Sequence, residues 1–112
     1  MLAFAYSNMQ KPVFFIKEKQ IMQELRLNVI YHVKPGMVEE FMGKLIEADI
    51  ETIVRGENGC EEYRYEAHAE NNTIVLTERW TSKEMQQEHL KQPHMEIVKQ
   101  LKDKYVLETE IS

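Results

Sequence analysis

From Leu25 onward apolar and polar residues alternate. Leu25, Leu27, Val29, Tyr31 and Val33 fall on one side and Arg26, Asn28, Ile30 and His32 on the other, the two-residue period of a half-buried strand. Lys34-Pro35-Gly36 ends it. Val38, Phe41, Met42, Leu45, Ala48 and Ile53 then recur at three- and four-residue steps, which predicts one long amphipathic helix. Glu57-Asn58-Gly59 supplies turn residues, and a second alternating run over Cys60–His68 is followed by the Asn71-Asn72 turn and a third strand over residues 73–81. So short a connection predicts an antiparallel hairpin. Ser82 can cap a short helix reaching Leu90, and Pro93 suits the first turn of another with Met95, Ile97, Val98 and Leu101 on its apolar side. Residues 105–111 close the chain as a fourth strand.

The order β-α-β-β-α-β predicts an α+β, ferredoxin-like fold: a four-stranded antiparallel sheet with helices on one face. The strands should then have one oily side and one mixed side. Leu27, Val29, Tyr31, Val33, Tyr63, Tyr65, Ala67, Ile74, Leu76, Trp80, Tyr105, Leu107 and Ile111 make up the first. Asn28, Ile30, His32, Glu62, Arg64, Glu66, His68, Val75, Thr77, Arg79, Val106 and Glu108 make up the second, which is either solvated or a wet interface with another copy of the chain.

Composition narrows the function. With 112 residues, 43% hydrophobic and 29% charged, the chain has the length and apolar content for one core. Fourteen basic against nineteen acidic side chains, a net charge of −5, is the wrong sign for a phosphate-backbone binder, so no nucleic acid is expected. Residues 1–24 read as an N-terminal extension that the domain at 25–112 can do without. They originate either from an upstream translation start or as an arm that packs on a partner. Within residues 1–21, Lys11, Lys17 and Lys19 against Glu18 make the lead-in basic where the remainder is acidic. Its apolar patches are too short to span a bilayer, and their flanks do not fit a secretory signal. One cysteine, Cys60, forms no internal disulfide, so a cytoplasmic location is expected.

One residue is out of place. Along the oily side of the third strand the order is Ile74, Leu76, Glu78, Trp80, which puts a carboxylate among positions that should be buried. A charge there finds a partner or holds its proton. Two readings stand: Glu78 lies near the strand end and pairs with Arg55 or Lys83, or it belongs to a pocket. For the second, Tyr31, Tyr63 and Tyr65 share its face and His89 arrives from the short helix, giving apolar walls with a few polar points. His89 and His94, five apart around a helix break, are poorly spaced as metal ligands, and His32, His68 and Glu66 on the mixed face read as surface groups. Cys60 reads as a spectator thiol. No glycine-rich phosphate loop is present.

The succession Val33-Lys34-Pro35-Gly36, Glu39-Glu40-Phe41, Asn58-Gly59-Cys60 leading to Tyr63, Thr77-Glu78-Arg79-Trp80, then His89 and Pro93-His94 resembles the antibiotic biosynthesis monooxygenase family in its quinol-monooxygenase-like branch, over about residues 25–111. The resemblance implies a homodimer whose sheets face each other in a dimeric α+β barrel. It also implies an enzyme that oxidises a small quinol, phenol or polyketide-like aromatic with O₂, without cofactor or metal; no membrane partner is expected, from the shortness of the apolar patches. In that scheme His89 is the base or anion stabiliser, Glu78 its polar partner or a substrate acceptor, and Trp80, Tyr63, Tyr65 and Tyr31 the substrate-binding walls. The haem-degrading branch needs other residues at the positions of Val29, His89 and Lys99. Two other functions stay open: a non-catalytic dimer that binds a small hydrophobic ligand, and an isomerase of a small signalling metabolite, whose phosphorylated substrate would want a clamp such as Arg55, Arg64 or Arg79.

Overall fold

The computed structural model describes residues 23–112, so nearly all of the extension over residues 1–24 lies outside the described residues. Strand β1 (Leu25–Val33) leads into helices α1 (Val38–Glu47) and α2 (Ile50–Arg55). Next come β2 (Cys60–His68), a 3₁₀ turn at Ala69–Asn71, β3 (Thr73–Trp80), α3 (Lys83–His89), α4 (His94–Tyr105) and β4 (Val106–Ile111). The strands form one antiparallel sheet in the order β2-β3-β1-β4. This is the ferredoxin-like α+β arrangement that the alternation predicts, with the core between the oily side of the sheet and the helices.

The hairpin and the caps follow the local chemistry. Asn72 takes the left-handed conformation at φ 56 between β2 and β3, as a short polar side chain permits. The Ser82 hydroxyl accepts the Met85 N–H at 3.2 Å and so starts α3. Pro93 stands just before the first residue of α4, where its missing N–H costs nothing.

Three expectations are corrected. The predicted long helix is two helices, because Asp49 sits in the left-handed region at φ 58 and interrupts the helical path after Ala48. The break shifts the buried positions from Val38, Phe41 and Leu45 to Ile50 and Val54, and leaves Ile53 40% exposed. Tyr105 is the last residue of α4 rather than the first of β4. The oily side of β4 is not covered: Leu107 is 64% and Ile111 66% exposed, since β4 is an edge strand whose register slips beside His32/Val33. Ala67, at the far end of β2, is exposed as well.

Gly59 is the one glycine whose lack of a side chain the packing requires. It has φ +86, and a Cβ there would lie 2.5 Å from Met85 Cγ and 2.7 Å from Met85 Cβ. Gly59→Ala is therefore expected to cost about 1–3 kcal/mol of stability through strain and overpacking together. Thermal unfolding measures it, and an unchanged midpoint contradicts this account of the turn.

Candidate functional site

Register places Glu78. On β3 it lies opposite Leu27 of β1 and Tyr63 of β2, in the middle of the sheet and on the helix side. The carboxylate is only 7% exposed. Its partner is neither Arg55 nor Lys83 but Trp80, whose indole Nε1–H donates to Glu78 Oε1 at 2.9 Å. Arg55 instead donates to the Tyr63 carbonyl and pairs with Glu51. Burial raises the proton affinity of Glu78, and the Trp80 hydrogen bond together with the nearby His89 and Lys102 offsets this only in part.

Tyr31, Tyr63 and Tyr65 are all buried on the same face. The Tyr63 and Tyr65 hydroxyls are 2.9 Å apart, so one donates to the other and one proton of the pair stays free for a third group. Burial pushes all three phenols well above their ordinary titration range, so they act as neutral donors rather than bases. The Lys102 ammonium sits 5.6 Å from the centre of the Tyr31 ring.

His89 ends α3 above this layer and is 2% exposed. Its ring lies 4.7 Å from Trp80 at a tilt of 35° and 5.5 Å edge-on from Tyr63. Nδ1 meets the Glu57 carboxylate at 3.1 and 3.2 Å. Nε2, on the other side of the ring, has no hydrogen-bond partner among the described residues. The structure thus brings Glu78, His89, Trp80, Tyr31, Tyr63 and Tyr65 into one neighbourhood.

Sequence reasoning passes over Glu57, treating it as a turn residue. The same carboxylate also meets His94 Nε2 at 2.5 Å, so it bridges two imidazoles. Spacing along a single helix makes His89 and His94 a poor pair, but the break between α3 and α4 turns both toward Glu57. The only sequence signal is the Glu57-Asn58-Gly59 turn itself, whose first residue meets the helix junction.

The remaining groups are accounted for locally. His32 pairs with Glu110, and His68 with Glu66 and Glu70. Arg64 pairs with Glu62 and Glu66, and Arg79 with Glu24, Glu61 and Glu62, so these arginines are engaged by carboxylates rather than held in reserve as a phosphate clamp. The Cys60 thiol is pushed up to about 11 by burial and the nearby Glu57 charge, which leaves it a weak nucleophile. One pocket reaches His89 and Glu57, and another lies beside α4 with Lys102 in its wall. The α4 pocket, of ≈ 580 Å³, also includes Leu90, Pro93, Met95 and Val98. The first, of ≈ 410 Å³, is lined by Glu57, Asn58, Met85, Glu88, His89 and Gln92. No helix among the described residues is long and apolar enough to cross a membrane.

The raised proton affinity of Glu78 ties folding to pH. The folded carboxyl holds its proton more tightly than the unfolded one, near pH 4.3. The stability it contributes is therefore full below that pH and is lost as pH rises through the folded value. In Glu78→Gln an amide oxygen still accepts from Trp80 and nothing titrates. Wild type should therefore gain on the variant as pH falls from 7 to 4, read as the difference in unfolding temperature. A constant difference contradicts the burial of the charge.

Residues 25–100 match the profile of a family described as antibiotic biosynthesis monooxygenase. Among curated protein sequences none matches the chain. Among solved structures, a conserved protein from Methanosarcina mazei Go1 is 27% identical with a TM-score of 0.67, over 85% of this chain and 94% of that one. A protein from Mycobacterium tuberculosis is 20% identical with a TM-score of 0.69, over 80% and 91%. A protein from Bacteroides thetaiotaomicron VPI-5482, described as a candidate antibiotic biosynthesis monooxygenase, is 22% identical with a TM-score of 0.68, over 80% and 85%. At such identities the last two speak for the fold alone.

Proposed function

This chain belongs to the antibiotic biosynthesis monooxygenase family, and from that premise we propose that it is a cofactor-independent monooxygenase of a small electron-rich phenol or quinol. The observation that carries the reading is the buried carboxylate of Glu78, set among three neutral tyrosines and beside an imidazole that Glu57 orients from behind.

Without a cofactor the substrate must itself give electrons to O₂, and it does so readily only as an anion. His89 Nε2 takes the phenolic proton while Nδ1–H donates to Glu57, which steadies the imidazolium that forms. The free hydroxyl proton of the Tyr63–Tyr65 pair and the Lys102 ammonium stabilise the phenolate oxygen. The ring then gives two electrons to O₂ and takes up a proton to form a carbon-bound hydroperoxide. Loss of the hydrogen on that carbon breaks the O–O bond, so that the substrate has given four electrons in all, one oxygen stays on the ring carbon as a carbonyl, and the other leaves as water. The α4 pocket, within the roughly 300–1,000 Å³ usual for small ligands, is the proposed access route, since Lys102 forms part of both its wall and the tyrosine layer. Trp80 and the three tyrosines exclude water from the anion.

A homodimer belongs to this proposal. A partner sheet would cover the mixed face and the exposed Leu107 and Ile111 of the β4 edge, which otherwise present apolar surface and unpaired backbone. Oxygen uptake with a panel of hydroquinones tests the function. Substrate-dependent uptake by the metal-free protein supports it. Ligand-induced thermal stabilisation without uptake would instead make the chain a binding protein, and product formation without oxygen an isomerase.

A further inference from the structure

Glu57, His89 and His94 come from three different elements: the turn before β2, the end of α3 and the start of α4. Their ligand atoms all lie within 4.8 Å of one another. We propose that they form a binding site for a borderline divalent transition-metal ion of the zinc or cobalt kind, open on one side to the ≈ 410 Å³ pocket.

Donor chemistry is the first support. Two imidazoles and one carboxylate form a set that suits zinc, cobalt and iron(II), whereas magnesium and calcium favour sites built from oxygen alone. Placement is the second. Glu57 Oε2 is 3.1 Å from His89 Nδ1 and 2.5 Å from His94 Nε2, near the spacing of about 3 Å that ligands at about 2.0–2.1 Å from a shared ion must keep. Small rotations of the His94 and Glu57 side chains, which are mostly buried but reach the surface, open the gap that the ion fills.

The supports behind the donors are built in. Glu57 N–H donates to the Val54 carbonyl at 2.9 Å, and the Glu57 carbonyl accepts from Cys60 N–H, which with the close fit of Gly59 against Met85 fixes the turn. His89 is held between Trp80 and Tyr63. A neutral His89 that presents Nδ1 to an ion carries its proton on Nε2, the ring nitrogen that does not face Glu57. Three protein donors leave a fourth position vacant, and the pocket that His89 and Glu57 line gives water or a small ligand access to it.

The test uses the full chain, stripped with a chelator and titrated with Co²⁺, whose visible d–d absorption reports geometry directly. One equivalent per chain, bands of four- or five-coordinate intensity and their displacement by Zn²⁺ but not Mg²⁺ are expected. His94→Ala and Glu57→Gln should each weaken Co²⁺ binding at least tenfold, with His94 at the surface end of the cluster being the substitution that disturbs the core least. Absence of the bands in wild type overturns the proposal, whatever the variants do. So does Co²⁺ binding that His94→Ala leaves unchanged, since the ion then sits elsewhere. The ion would use the same His89 Nδ1 and Glu57 that the proposed oxidation uses in the metal-free protein, so the two describe different loading states. The Co²⁺ bands report the site without oxygen uptake, and their absence leaves the oxidation to be judged on its own assay.

Discussion

Trp80→Ala is expected to lower the unfolding temperature by at least about 15 °C. Trp80 is completely buried and is among the largest side chains in the core, so truncation removes its transfer free energy and leaves a cavity, together about 3–5 kcal/mol. For a domain of this size each kcal/mol moves the midpoint by roughly 4–8 °C. A second cost adds to the first, because Nε1 is the hydrogen-bond donor that the described residues give to the Glu78 carboxylate. Trp80→Phe separates the two, since it fills much of the volume and loses only the donor. Calorimetry of the pair checks the account, and a loss of a few degrees in the alanine variant would mean that the indole is not the keystone between β3 and α3.

The second large effect is on turnover. With a phenolic substrate, His89→Ala or His89→Gln is expected to reduce kcat roughly 10²–10⁴-fold, the usual worth of a positioned base. The glutamine variant is the more informative, because its amide can still reach Glu57 and keep α3 in place while having no basic nitrogen. Raising the pH should restore part of its rate, since hydroxide then generates the phenolate that the side chain no longer makes. A rate unchanged from wild type would remove His89 from the chemistry and leave Glu78 as the remaining candidate.

The fold was largely legible because alternation carries so much information in β1 and β3. Val29, Tyr31, Val33, Ile74, Leu76 and Trp80 are buried as the two-residue period predicts, and the same reading isolates Glu78 as the misfit. What the pattern missed has physical causes. The break at Asp49 depends on one left-handed residue, and aspartate tolerates that conformation without requiring it, so the apolar spacing runs through it undisturbed. Leu107 has the parity of a core residue in the sequence, but the bulge beside Val33 sets Val106, expected on the mixed side, opposite that buried residue and against the core, and leaves Leu107 and Ile111 exposed on the edge strand. Glu57 was invisible as a site residue for a related reason: its meeting with His89 and His94 is made by a turn, a helix end and a helix start, and no local spacing encodes it.

The central claim is that Glu78 is held inside the protein as part of a polar cluster rather than at its surface. Carbon-13 NMR of the side-chain carboxyls, with Glu78 assigned by its loss in Glu78→Gln, follows its titration directly. The account predicts a midpoint above the ordinary glutamate value and a response that shifts when Trp80 or His89 is replaced. A midpoint at or below that ordinary value, indifferent to both neighbours, would contradict it.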